Sequence, residues 1–132
     1  WLVEKASERM RRDGYCARQF SLSVHLTYGG RWGQGRKITA TQDTRALLLL
    51  YEGLWRDMRA RCSGDIISIN VHLGDLIRLT DRNGDLFAPL SPGLPNKPEK
   101  LAIVIDHINK RFGERVVTFG VHQEHPGFFE RE

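Results

Sequence analysis

The sequence lacks most of the features that mark an enzyme, a metalloprotein or a membrane protein. It has no Walker loop, nucleophile elbow, GxGxxG or HExxH motif, and no pair of carboxylates placed to hold Mg²⁺ between strands. Its two cysteines are isolated, so neither a zinc site nor a disulfide is expected. The longest apolar run, residues 46–51, is far too short to cross a bilayer. We therefore predict a chain with no catalytic residue, no metal and no cofactor of its own, and no contact with a membrane.

Charge is unevenly distributed along the chain. Residues 1–62 contain twelve Lys and Arg against six Asp and Glu, whereas residues 63–132 contain eight against ten. A surface of net positive charge favours contact with a polyanion. The basic first half is therefore the part expected to meet nucleic acid, although a net charge of +4 also suits many proteins that bind none.

Two segments alternate apolar and polar residues with a period of two, which predicts strands with one buried and one polar face. The apolar faces are Phe20, Leu22, Val24 and Leu26 in the first segment, and Ile67, Ile69, Val71 and Leu73 in the second. The polar faces are Gln19, Ser21, Ser23, His25 and Thr27 in the first, and Ser68, Asn70 and His72 in the second. Such a face fits either ordinary solvation or contact with a large hydrogen-bonding partner.

Three segments have helical spacing. Residues 1–13 predict an entry helix that ends at Gly14, residues 41–60 predict a long helix, and residues 99–112 predict a second one. The apolar stripes expected to be buried are Leu47, Leu50, Tyr51, Leu54 and Met58 in the first long helix, and Leu101, Val104, Ile105, Ile108 and Phe112 in the second.

Glycine and proline indicate the connections. Residues 29–35 are rich in glycine and predict a flexible turn, followed by a short returning strand over residues 37–40. Trp32 is expected to pack over the sheet edge, and stacking on a nucleotide is the alternative. Residues 78–98 contain four of the five prolines and predict an exposed loop.

A last strand is predicted at Val117, Phe119 and Val121, followed by a polar tail over residues 123–132. The predicted fold is α+β, with a four-stranded sheet, two long helices on one face and an N-terminal helix. The other face is left open. Residues 1–132 are expected to form a single domain.

Five segments resemble, in the same order, parts of one family. They are residues 2–17 with Arg11-Arg12-Asp13-Gly14, the Gly/Arg/Trp-rich hairpin followed by Thr41-Gln42-Asp43-Thr44, residues 66–76, residues 101–113 with Ile108-Asn109-Lys110-Arg111-Phe112-Gly113, and Val117-Thr118-Phe119-Gly120. Together they resemble the C-terminal little-finger domain of bacterial Y-family translesion DNA polymerases.

The resemblance implies a fragment of a longer, cytoplasmic protein that acts in DNA repair after DNA damage. A palm domain outside this chain would bind Mg²⁺ and carry out nucleotidyl transfer. The open face would lie along double-stranded or primer-template DNA and contact phosphates with little reading of sequence. The candidate DNA-binding residues are Arg18, Ser21, Arg31, Arg36 and Lys37. The third strand departs from the family, because Ile67, Ser68 and His72 occupy positions where several members have basic residues.

The loop carries a second resemblance. Asn83-Gly84-Asp85-Leu86-Phe87 is similar to the Gln-Leu-Asp/Ser-Leu-Phe pentapeptide with which such polymerases bind the sliding clamp. Asp85, Leu86 and Phe87 match, whereas Asn83 and Gly84 depart. Leu86 and Phe87 would enter an apolar pocket of the clamp, and the alternative is that they pack beneath their own loop.

Two other functions fit the residues less well. A non-catalytic α+β protein-interaction or regulatory domain could use the open face to bind a protein, and a steep salt dependence of DNA affinity would separate it from a DNA-binding domain. A free-standing RNA-binding sheet normally exposes aromatic residues on its central strands. The predicted polar faces carry none.

Overall fold

A computed structural model describes residues 1–82, 93–113 and 115–120. The helices are α1 (Leu2–Arg12), α2 (Thr44–Arg61) and α3 (Lys97–Phe112), and the strands are β1 (Tyr15–Leu26), β2 (Arg31–Thr41), β3 (Ile66–Gly74) and β4 (Ile77–Arg78). All pairings are antiparallel, with β1 between β2 and β3 and with β4 paired to the start of β1. The α+β class, the four-stranded sheet and the N-terminal helix are confirmed.

The core lies between one face of the sheet and α2. Phe20, Leu22 and Val24 are completely buried on β1, and they belong to the same cluster as Leu47 and Met58 of α2. The alternation of β1 and the predicted stripe of α2 are therefore confirmed. Helix α1 adds Val3 and Met10 to this cluster. Truncating Phe20 to alanine would leave a cavity here and cost about 3–5 kcal/mol of folding free energy.

β2 is longer than predicted and begins within the segment assigned to a flexible turn. It runs over Arg31–Thr41, whereas the connection to β1 is the short 3-10 turn Thr27–Gly29. The prediction was wrong because Gly33 and Gly35 were interpreted as turn residues. Both lie in strand register, opposite Ser23 and Ser21.

The predicted last strand is wrong for residues 117–120, which form bends and irregular backbone. Side chains make hydrogen bonds to backbone groups that would pair with a neighbouring strand in a sheet. Asn109 donates to the Val117 carbonyl at 2.8 Å and accepts from its N–H at 2.9 Å, and Glu4 accepts from the Phe119 N–H at 3.0 Å. The fourth strand of the sheet is instead β4, whose Ile77 and Arg78 pair with Cys16 and Tyr15. Val121 lies outside the described residues.

The predicted burial of α3 is wrong at three positions, because Leu101, Val104 and Phe112 are each more than half exposed. The inward face of α3 carries Glu99, Ala102 and Asp106 instead. Glu99 is fully buried and accepts hydrogen bonds from Arg82, at 2.8 and 2.9 Å, and from the backbone N–H of Gln42 at 2.6 Å. Polar contacts thus orient this helix against the rest of the domain.

The predicted burial of Ile67 is also wrong, since 68% of its surface is exposed. The register explains why. Ile66 pairs with Leu26 and Ser68 pairs with His25, so Ile67 is an extra residue at a β-bulge. Ile66 enters the core and Ile67 faces solvent.

Candidate nucleic-acid interface

The sheet face opposite the core is a polar surface built by three strands in register. We call it the open face. Its four cross-strand rows, each read from β2 through β1 to β3, are Lys37–Gln19–Gly74, Gly35–Ser21–His72, Gly33–Ser23–Asn70 and Arg31–His25–Ser68. None of the residues in these rows is acidic. Within the described ranges, the helix α2 packs on the other side of the sheet.

The two cations of β2 lie at opposite ends of the open face. Arg31 is opposite His25 and Lys37 is opposite Gln19, and both are exposed. They are six residue steps apart along an extended strand, which corresponds to roughly 20 Å. The two charges can therefore contact different phosphates of one backbone.

Between those cations the surface of β2 is flat, because Gly33 and Gly35 have no side chains. A Cβ at residue 35 would lie 2.9 Å from Ser21 Oγ and 3.3 Å from Gln19 Nε2. Glycine at position 35 therefore leaves room for the Ser21 hydroxyl and the Gln19 amide. A backbone that approaches the face meets these polar groups without a steric barrier from β2.

Arg36 lies on the opposite side of the sheet from Arg31 and Lys37. It is paired with Phe20, a core residue, and its guanidinium is 3.3 Å from the Asp57 carboxylate of α2. Trp32 is on the same side, half-buried against the core, so the prediction that it packs is confirmed. The sequence grouped these residues with Arg31 and Lys37, and the strand pleat separates them.

Arg18 is exposed at the start of the open face and is neutralised by a neighbour. Its Nη2 donates to the Asp75 carboxylate at 2.7 Å, and its Nε lies 3.4 Å from the Asp75 carbonyl oxygen. Of the five candidate residues, the structure thus places Ser21, Arg31 and Lys37 on one face. It places Arg18 at the margin in an ion pair and Arg36 on the far side.

Sequence reasoning missed that alternate residues of β2 belong to the surface. Arg31, Gly33, Gly35 and Lys37 are the odd-numbered residues of one strand, so a period of two was present in the sequence. It was hidden because glycine usually indicates a turn. His25 and Asn70, seen in the sequence as polar-face residues, also belong to the surface although they were not among the candidates.

The clamp-like residues Asn83, Asp85, Leu86 and Phe87 lie outside the described residues.

Among the residues that are described, no group of three His, Cys, Asp or Glu side chains is placed to hold a metal ion. Cys16 is completely buried, and this burial raises the pKa of its thiol. None of the helices in the described part of the chain is long and apolar enough to span a membrane.

Comparison with known proteins identifies a family whose model matches more than half of the chain. A family model described as the impB/mucB/samB family C-terminal domain matches residues 1–86, which include α1, the four strands and α2. No match is found among curated proteins or among solved structures. The matched part contains all residues of the open face. The chain belongs to the impB/mucB/samB C-terminal domain family, which is the little-finger domain of Y-family DNA polymerases.

Proposed function

We propose that the open face grips the backbone of double-stranded or primer-template DNA while a Y-family polymerase copies past a lesion. Nucleotidyl transfer and its Mg²⁺ belong to a palm domain outside this chain. The observation that carries the proposal is the alternation of Arg31, Gly33, Gly35 and Lys37 on β2 beside the hydroxyl row of β1. Hydroxyls, amides and cations contact phosphate oxygens without reading sequence, as a polymerase domain that moves along DNA requires.

Electrostatics support the same conclusion. The open face presents two exposed cations and no acidic residue in its four rows, so its field attracts a polyanion. Each phosphate that a cation neutralises releases counterions from the DNA, and the affinity then falls as salt rises. Protein-binding surfaces are usually centred on apolar residues. In the four rows the side chains are polar or absent.

The test compares two double variants of equal charge. Arg31→Ala with Lys37→Ala removes both cations of the open face. Arg36→Ala with Arg56→Ala removes two cations on the helix side of the sheet, where Arg56 is an exposed residue of α2. We expect the first pair to flatten the slope of log affinity against log salt by about 1.8, since each lost phosphate contact accounts for roughly 0.9. The loss should be the same for unrelated duplex sequences.

The control pair should change the slope little, because Arg36 is engaged with Asp57 on the helix side. Equal losses in the two double variants, measured by fluorescence anisotropy, would show that net charge rather than the open face determines binding. If the unchanged domain has no affinity for duplex DNA at low salt, the protein-interaction alternative replaces the proposal.

We propose in addition that residues 83–87 bind the sliding clamp, an interaction supported by the Asp85-Leu86-Phe87 match. Phe87→Ala should abolish clamp binding, because an aromatic anchor in a pocket contributes much of the energy of such a contact. We expect a dissociation constant on the order of tens of micromolar. Asn83 and Gly84 replace the Gln and Leu of the pentapeptide, and each replacement costs about 1 kcal/mol of binding free energy. Leu90→Ala, three residues further along the sequence, is the matched control. A large loss of thermal stability in Phe87→Ala would instead indicate a structural role.

A further inference from the structure

One end of the open face carries two exposed apolar side chains. Tyr28, in the turn between β1 and β2, is fully exposed. Ile67, the extra residue at the β3 bulge, is 68% exposed. Their chain neighbours are paired, because the Thr27 N–H donates to the Asp65 carbonyl at 2.9 Å and Leu26 pairs with Ile66. Both residues therefore lie at the end of the sheet where β1 ends and β3 begins.

The turn holds Tyr28 in a conformation that non-glycine residues seldom adopt. Its φ of 62° and ψ of 29° are left-handed, and Gly29 follows with a φ of 78°. The turn closes through the Leu26 N–H, which donates to the Gly30 carbonyl at 2.8 Å. Packing gives no reason for an aromatic residue here, because the Tyr28 ring is in solvent. Left-handed residues are common in hairpin turns, but asparagine, aspartate and glycine usually occupy them, so an exposed tyrosine here is a candidate functional residue.

Cationic and polar residues lie at the same end of the sheet. Arg31 begins β2 immediately after the turn, and it is opposite His25, which in turn is opposite Ser68. An aromatic ring, an aliphatic side chain and a guanidinium therefore share one end of the face. Aromatic rings stack on nucleobases while neighbouring cations contact the adjoining phosphate. In a duplex the base faces are covered by their neighbours, so this combination suits an unpaired nucleotide.

We propose that Tyr28, with Ile67 at the same end of the face, stacks on an unpaired nucleobase at the junction between duplex and single-stranded DNA. The inference rests on the proposed function, because Arg31 and the rest of the open face would hold the adjoining duplex. The inference also assigns an orientation to the DNA along the open face. The end of the face near Tyr28 meets the single strand, and the end near Lys37 remains on the duplex.

The experiment measures the affinity of the domain for a blunt duplex and for the same duplex with an overhang of about five nucleotides. The first unpaired base is 2-aminopurine, whose fluorescence falls when it stacks. The unchanged domain should bind the overhang about tenfold more tightly than the blunt duplex and should quench the probe. Tyr28→Phe should keep both effects. Tyr28→Asn should lose both, since asparagine tolerates a left-handed backbone but does not stack.

All three proteins should bind the blunt duplex equally, which separates this inference from the proposed function. Ile67→Ser should reduce the overhang preference in the same direction and by less. The inference is overturned if Tyr28→Asn retains the preference and the quenching, or if the unchanged domain binds blunt and overhanging duplexes equally. Failure of all three proteins to bind the blunt duplex would instead overturn the proposed function, and the junction site with it.

Discussion

At residue 35 the local packing and the proposed DNA contact depend on the same missing side chain. Ser21 and Gln19 fill the space that a Cβ at this position would need. Residue 33, two positions along the same strand, differs. A Cβ there would lie 3.7 Å from the Ser23 Cβ, an ordinary van der Waals distance. The two glycines therefore form a matched pair on one strand and one face.

We predict that Gly35→Ala weakens duplex DNA binding about fivefold, or about 1 kcal/mol, because the Ser21 hydroxyl and the Gln19 amide are displaced. Gly33→Ala should leave the affinity nearly unchanged. Anisotropy titrations at one salt concentration provide the comparison. Neither variant should lose thermal stability by much, since replacing glycine in a strand reduces the entropy of the unfolded chain. Equal affinities in the two variants would remove Ser21 and Gln19 from the contact.

At the scale of the elements, the bulge in β3 and the polar inward face of α3 each depart from the apolar periodicity of the sequence. The bulge shifts the alternation by one residue, so that Ile67 faces solvent while Ile69 remains against the core. In α3 the capping box of Asn96 and Glu99 fixes the first turn. Glu99 also accepts from Arg82, so the same carboxylate that caps the helix anchors it to the chain before residue 83. Helix α3 is thus positioned through charge, and its apolar Leu101 and Val104 remain outside.

At the scale of the whole molecule, one arginine joins three helices. Arg11 of α1 makes two hydrogen bonds to Asp106 of α3, at 2.6 and 2.8 Å. Its Nη1 also donates to the Gln42 carbonyl and to Thr44 Oγ1 at the start of α2, at 2.9 and 2.6 Å. The Arg11 side chain is only 4% exposed, so its charge depends on these partners. The structure thus couples α1, α2 and α3 through a single guanidinium.

We predict that Asp106→Asn lowers the free energy of unfolding by about 3 kcal/mol, because it leaves the buried Arg11 charge without its carboxylate. Asp57→Asn is the control. It removes the partner of Arg36 in a pair whose side chains are both nearly half exposed, and such pairs contribute about 0–1 kcal/mol. Urea denaturation measures both values. A loss below about 1 kcal/mol in Asp106→Asn would show that Gln42 and Thr44 suffice to hold Arg11.

Periodicity in the sequence was sufficient to predict β1, α2, the α+β class and the polar face. These follow from local physics, since a period of 2 or 3.6 determines which side chains share a face. The order of five segments was sufficient to indicate the family. Ser21, Arg31 and Lys37 were candidates because the resemblance implies that the first strand and the hairpin contact DNA.

Only the tertiary structure decided which candidates lie together. Arg36 and Arg31 are close in sequence, but they lie on opposite faces, because β2 continues through the glycines that were interpreted as a turn. The polar inward face of α3 depends on Arg11 and Arg82, which are distant in sequence and carry no periodic signal. Strand register, bulges and long-range ion pairs are set by contacts between segments. Periodicity within one segment therefore cannot specify them.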